Sequence, residues 1–151
     1  TGEGKYTLID NENFDWLNQF KWYYHKGYVL RNSKMIKGKK NSHIYMHRVI
    51  NNTSKGFETD HIDGNPLNNQ KANLRTVSHQ KNMMNSSLRK NNTSGYKGVM
   101  WNKDIRKWTA QLRKNGKPIY LGNFRTIKEA AKAYNQTAKQ YFGEFARLNI
   151  I

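Results

Sequence analysis

Asp60, His61, Asn73 and Asn82 place an acid, an imidazole and two amides within a short stretch of chain. A carboxylate and an amide oxygen can hold a hard divalent cation, and an adjacent imidazole can take a proton from water. Phosphodiester hydrolysis needs those parts, a metal on the phosphate oxygens and a base for the nucleophile.

Short elements must position these groups. Thr59 to Ile62 reads as a strand, and Asp63-Gly64-Asn65-Pro66 carries turn chemistry, which favours Asp63 as a turn cap over a second metal ligand. Ser78 is a candidate N-cap for a helix through His79, Asn82 and Met83 toward Asn85. Upstream, Tyr6 to Ile9 reads as a strand. Asp10 or Asn11 then caps a short helix carrying Phe14, Trp16, Leu17 and Phe20. Trp22 to Arg31 reads as a hairpin turning at Lys26-Gly27, and Ser42 to Met46 as a strand running into His47-Arg48-Val49-Ile50. Between them lies a lysine-rich loop, residues 33–40, which is either a phosphate contact or a solvated face.

The charge balance points to a polyanion. The chain has 27 Lys and Arg against 10 Asp and Glu, a formal +17 on 151 residues. Charge of one sign at that density otherwise only destabilises a compact state. Residues 1–90 hold 15 basic and 7 acidic side chains and residues 91–151 hold 12 and 3, so each half carries a surplus. The absence of Cys excludes disulfides and Cys-ligated zinc. No apolar run approaches the roughly 20 residues of a membrane span, and no signal-peptide pattern opens the chain. A first residue other than Met is read as trimming or tagging.

The text around the four residues, His47-Arg48-Val49-Ile50, Asp60-His61-Ile62-Asp63-Gly64-Asn65-Pro66-Leu67-Asn68-Asn69 and Asn73-Leu74-Arg75, resembles the HNH endonuclease family. Within it, the chain looks like the phage homing branch, where the second His of the name is replaced by Asn, here Asn82. The resemblance spans about residues 5–85. It implies a ββα-metal arrangement in which Asn82 faces Asp60-His61. Asp60 and Asn82 would hold one Mg²⁺ or Mn²⁺, and no zinc is expected. His61 would be the general base, and Asn73 would brace the loop that keeps the base oriented. His47 either sits behind the site or simply packs, His79 either touches the metal shell or a phosphate or is a helix-surface residue, and His25 and His43 are assigned no chemistry. Arg75 either contacts phosphate or braces the loop through a salt bridge.

A second resemblance covers residues 94–149. Ser94-Gly95-Tyr96-Lys97-Gly98-Val99, Trp108-Thr109-Ala110-Gln111-Leu112-Arg113, Tyr120-Leu121-Gly122-Asn123-Phe124 and Glu129-Ala130-Ala131 look like the ethylene-response-factor (APETALA-type) DNA-binding domain. Read from the residues, strands run from Gly98 to Trp101, Trp108 to Lys114 and Ile119 to Leu121. Asn115-Gly116 forms a tight turn between the last two. Thr126 with Glu129 forms a capping box opening a helix to about Phe142. Ile127, Ala130, Ala131, Tyr134, Ala138 and Tyr141 should cover the sheet. Alternation turns Trp108, Ala110 and Leu112 toward that helix and Thr109, Gln111 and Arg113 outward. The resemblance puts Lys97, Gln111, Arg113 and Tyr120 at DNA-contact positions, with Trp101, Lys103, Arg106 and Lys117 as neighbours. Met100 and Lys97 stand where the plant domains commonly carry Arg, so the plant target sequence does not transfer.

The expected fold is α+β: a nuclease domain over residues 1–85, a linker over 86–94, and a three-stranded antiparallel sheet packed on one helix over 95–151. The expected function is metal-dependent cleavage of double-stranded DNA at a site selected partly by the second domain. A non-cleaving two-module DNA-binding regulator is the alternative, and RNA binding ranks below both. The chain is expected to act as a monomer or weak dimer in the cytoplasm of a bacterial or phage-infected cell, associated with the nucleoid.

Overall fold

The computed structural model describes residues 4–33 and 42–151. The lysine-rich loop falls almost entirely outside them. Internal contacts divide the chain into a first unit ending at Asn82 and a second running from Met83 to Ile151.

The first unit opens with a helix, α1 (Asn11–Asn18), which buries Leu17. Asp10 precedes it without capping it, because its carboxylate accepts instead from the backbone N–H of Lys71 at 2.7 Å. The strand expected at residues 6–9 does not form. Leu8 makes a single parallel bridge to Asn68, since no neighbouring strand extends the pairing. A three-stranded antiparallel sheet follows, β1 (Tyr23–His25), β2 (Tyr28–Asn32) and β3 (His43–Tyr45). Lys26 and Gly27 both take positive φ, 48° and 97°, which is how a two-residue hairpin matches the twist of its strands. The run continuing from β3 turns helical at Met46, giving α2 (Met46–Ile50), an element that alternation alone does not announce. Val29, Met46, Ile50, Leu17 and Leu74 form the core of this unit.

A two-stranded antiparallel ribbon carries the expected site: β4 (Glu58–His61) and β5 (Leu74–Val77), joined through a 3₁₀ turn at Lys71–Asn73. Then comes α3 (His79–Met84), where the Ser78 hydroxyl accepts from Lys81 N–H at 3.4 Å.

The second unit is a three-stranded antiparallel sheet, β6 (Val99–Asn102), β7 (Lys107–Lys114) and β8 (Lys117–Phe124), under one helix, α4 (Ile127–Phe142). Asn115 and Gly116 take φ of 54° and 76° at the tight turn. Both halves of the Thr126–Glu129 capping box are made. Val99, Ala110, Leu112, Ala130, Ala131, Tyr134, Ala138 and Phe142 are buried between sheet and helix. Tyr141 departs from expectation. The helix buries Phe142 instead, leaving Tyr141 44% exposed with the Lys114 ammonium 4.3 Å from its ring centre.

Candidate active site and nucleic-acid interface

Alternation along β4 sorts the expected groups. Glu58 and Asp60 share one face of the strand, and Thr59 and His61 the other. His61 is buried, and its ring lies 5.1 Å from that of His47, centre to centre, in a group with Tyr28 and Tyr45. Its Nε2 lies 3.2 Å from Oδ1 of Asn69. Asn69 is itself fully buried, and its amino group is given to the Thr7 hydroxyl and the Pro66 carbonyl. The Asn69 oxygen can only accept, so His61 Nε2 carries the hydrogen and the basic lone pair of the neutral ring sits on Nδ1. Burial lowers the His61 pKa, opposed by the Asn69 bond and by the charges of Asp63 and Asp60. A ring kept neutral in this way can accept a proton at neutral pH.

Asn73 ties the loop after β4. Its Oδ1 accepts from Asp63 N–H at 3.0 Å, while its amino group donates to Asp63 Oδ1 and to the Asn68 carbonyl. Its own carbonyl accepts from Ile62 N–H. Asp63 is the turn-capping residue, accepting also from Asn65 N–H and the Asn68 amide.

On the other strand face, the register sets Arg75 opposite Asp60. The guanidinium donates to Asp60 Oδ2 through Nε (2.9 Å) and Nη2 (2.8 Å). Of the two roles open to Arg75, the structure shows the salt bridge. Asn82 reaches this same face, its amino group donating to Glu58 Oε2 at 2.6 Å, and His79 joins through Nδ1 at 2.7 Å from Glu58 Oε1. The Asn82 amino group is thus turned to a carboxylate and its oxygen is the atom left to serve as a ligand. The Asp60 carboxylate and the Asn82 amide both offer oxygen, the donor type that hard divalent cations take. Among the described residues, no group of three or more His, Cys, Asp or Glu is gathered to hold a metal.

In the second unit, β7 pairs Thr109 with Asn123, Gln111 with Tyr120 and Arg113 with Pro118, and these partners share the face away from α4. Arg113 is exposed, Tyr120 is 63% exposed, and Gln111 lies half-buried between them. Lys117 starts β8, and Lys103 and Arg106 lie exposed in the turn before β7. Two expected contact residues are placed elsewhere. Trp101 pairs with Trp108 on the helix side, their rings edge-on at 5.1 Å, because strand alternation fixes its face. The Lys97 ammonium is half-buried and donates to the carbonyls of Met84 and Ser86 at 2.7 Å each. Burial, with Arg147 nearby, pulls its pKa down to about 8.

The pattern of the HNH endonuclease family matches residues 45–84, and that of the AP2 domain residues 94–144. A protein of Acanthamoeba polyphaga mimivirus, described as an uncharacterized HNH endonuclease, is 31% identical over 99% of this chain and 78% of its own length. The chain belongs to the HNH endonuclease family. Protein 3.8 of Escherichia phage T7 is 39% identical to this HNH endonuclease family member over 62% of the chain and 76% of the phage protein. Dehydration-responsive element-binding protein 2A of Arabidopsis thaliana is 39% identical over 39% of the chain, though over only 18% of the plant protein. No solved structure matches significantly.

The HNH endonuclease domain is therefore joined to an AP2 DNA-binding domain, and both resemblances read from the residues hold. Among the described residues, no helix is long and apolar enough to cross a membrane. Reasoning from the sequence missed Asn69 as the partner of His61 and Glu58 as the partner of Asn82. Asn69 carried a signal, an amide in a turn-rich run eight residues from the imidazole it holds. Glu58 carried one too, since it precedes Asp60 by the two residues that put side chains on one face of a strand.

Proposed function

We propose that this protein is a metal-dependent endonuclease of the homing type, hydrolysing phosphodiester bonds of double-stranded DNA at a site selected partly by its AP2 domain. The observation that carries the reading is the His61–Asn69 hydrogen bond, which leaves the basic nitrogen of a neutral ring next in sequence to a carboxylate. His61 Nδ1 takes the proton from the attacking water as the water oxygen bonds phosphorus. The P–O3′ bond breaks and the 3′ oxygen leaves with the electron pair, acquiring its proton from solvent. Asp60 and Asn82 would hold a Mg²⁺ or Mn²⁺ ion, which would supply positive charge to offset that developing on the phosphate. Asn73 keeps the loop, and so the base, in place.

The AP2 sheet supplies the second half of the reading. Arg113 is suited to guanine and Gln111 to adenine in a major groove, with Tyr120 beside them. Lys117, Lys103 and Arg106 neutralise phosphate. A supercoiled plasmid tests the cleavage. The wild-type protein should nick it with Mg²⁺ and not with EDTA. His61→Ala should lower the rate by roughly 10²–10⁴-fold with DNA affinity nearly unchanged. Cutting that resists the chelator, or survives His61→Ala at full rate, overturns the proposal.

One observation favours a second reading, a two-module DNA-binding regulator without cleavage. The Asp60 carboxylate is already engaged by Arg75, a pairing that satisfies it with no cation. A protein that binds duplex DNA and never nicks it with Mg²⁺ or Mn²⁺ would support that alternative.

A further inference from the structure

We infer that Glu58 is a positioning residue for metal binding, holding the Asn82 carboxamide so that its oxygen is the atom presented as ligand. The inference rests on the proposal that Asn82 is a metal ligand. A carboxamide can present either its oxygen or its amino group by a half-turn, and the amino group repels a cation. A carboxylate can only accept hydrogen bonds, so the group of Asn82 facing Glu58 at 2.6 Å has to be the amino group. Asn82 Oδ1 accepts no hydrogen bond among the described residues, so no other contact opposes its use as a ligand.

Three features show that the arrangement is local and directed. Glu58 and Asp60 are two residues apart on one strand, which sets their Cα atoms about 7 Å apart on a common face. Asn82 is thereby brought to the face that carries Asp60. His79, three residues before Asn82 on α3, holds the other oxygen of Glu58 at 2.7 Å, so the carboxylate is fixed from both sides. These contacts contribute little to stability, since the His79 side chain is 76% exposed and the Glu58 side chain 37%. Orientation is the function left to them.

Water-proton relaxation with Mn²⁺ alone, titrated into the full chain, reads this directly and needs no substrate. Glu58→Ala should weaken Mn²⁺ binding about 10-fold or more, the scale on which loss of a ligand's hydrogen-bond partner acts. Glu58→Gln should retain most of the affinity, because its amide oxygen can still accept from Asn82. In an Asn82→Ala background, Glu58→Ala should have no further effect, since its action runs through that amide. Thermal unfolding of the variants checks that each remains folded. Unchanged Mn²⁺ affinity in Glu58→Ala, or losses that add in the double variant, overturns the inference while leaving the metal reading intact. If Asn82→Ala and Asp60→Ala leave Mn²⁺ binding unaltered, the metal reading itself fails and takes the inference with it.

Discussion

Acid should destabilise the first unit through His47, by an amount that follows from its burial. The side chain is 7% exposed, and its Nδ1 finds no hydrogen-bond partner among the described residues. Burial first, then the proximity of His61 and Arg48, lowers its pKa from 6.5 to about 3. The unfolded chain accepts a proton that the folded chain refuses. The stability linked to neutral His47 is therefore fully present above about pH 6.5 and is lost as pH falls from there toward about 3. Taking the unfolded value as about 6.5, the loss from this group between about pH 7.5 and about pH 5 is ~2 kcal/mol. Urea unfolding followed on the indole N–H resonances of Trp16 and Trp22 reports on the first unit alone. Between those two pH values the wild type should lose ~2 kcal/mol more than His47→Gln, in which nothing titrates at this position. His61, also lowered, remains in both proteins and cancels to first order. Equal losses in the two proteins, or a His47 imidazole titrating near 6.5 by NMR, would refute the burial argument.

Arg113→Ala should relax base preference as well as weaken binding, by about 1–3 kcal/mol if the guanidinium pairs with a base. Lys117→Ala should weaken all duplexes alike and reduce the salt slope of binding by about 0.9; selection on a randomised duplex library separates the two outcomes. Gly98→Ala should destabilise the AP2 domain by about 3 kcal/mol or more, read by denaturant unfolding on Trp101 and Trp108. At φ +74° an added Cβ would meet the buried Tyr134 ring and the Gln111 backbone carbonyl.

The AP2 domain was the more legible half because its signals are local. Asn115-Gly116 and the Thr126–Glu129 box each lie within a few residues, and the alternation from Trp108 to Arg113 needs no partner to be read. Its failures were at edges. Trp101, expected as a neighbour of the DNA-contact positions, pairs with Trp108, and Tyr141 yielded the buried position to its neighbour Phe142. In the HNH half the four polar residues were visible from their spacing, but the contacts that qualify them come from register and from long-range closure. The β4–β5 register sets Arg75 opposite Asp60, whereas a slip of one residue would set Thr76 or Leu74 there and remove the ion pair. Asn82 and Glu58 meet across 24 residues of chain, a separation at which no periodicity in the sequence speaks. What decides whether Asp60 binds a cation is therefore a competition the sequence does not print, between the Arg75 guanidinium already on its oxygen and an ion arriving with the DNA phosphate. A guanidinium that stays on Oδ2 still helps such an ion if it holds the carboxylate still, and hinders it only if it occupies the ligand position. Arg75→Ala distinguishes these roles: Mn²⁺ affinity should fall if Arg75 orients Asp60 and rise if it competes.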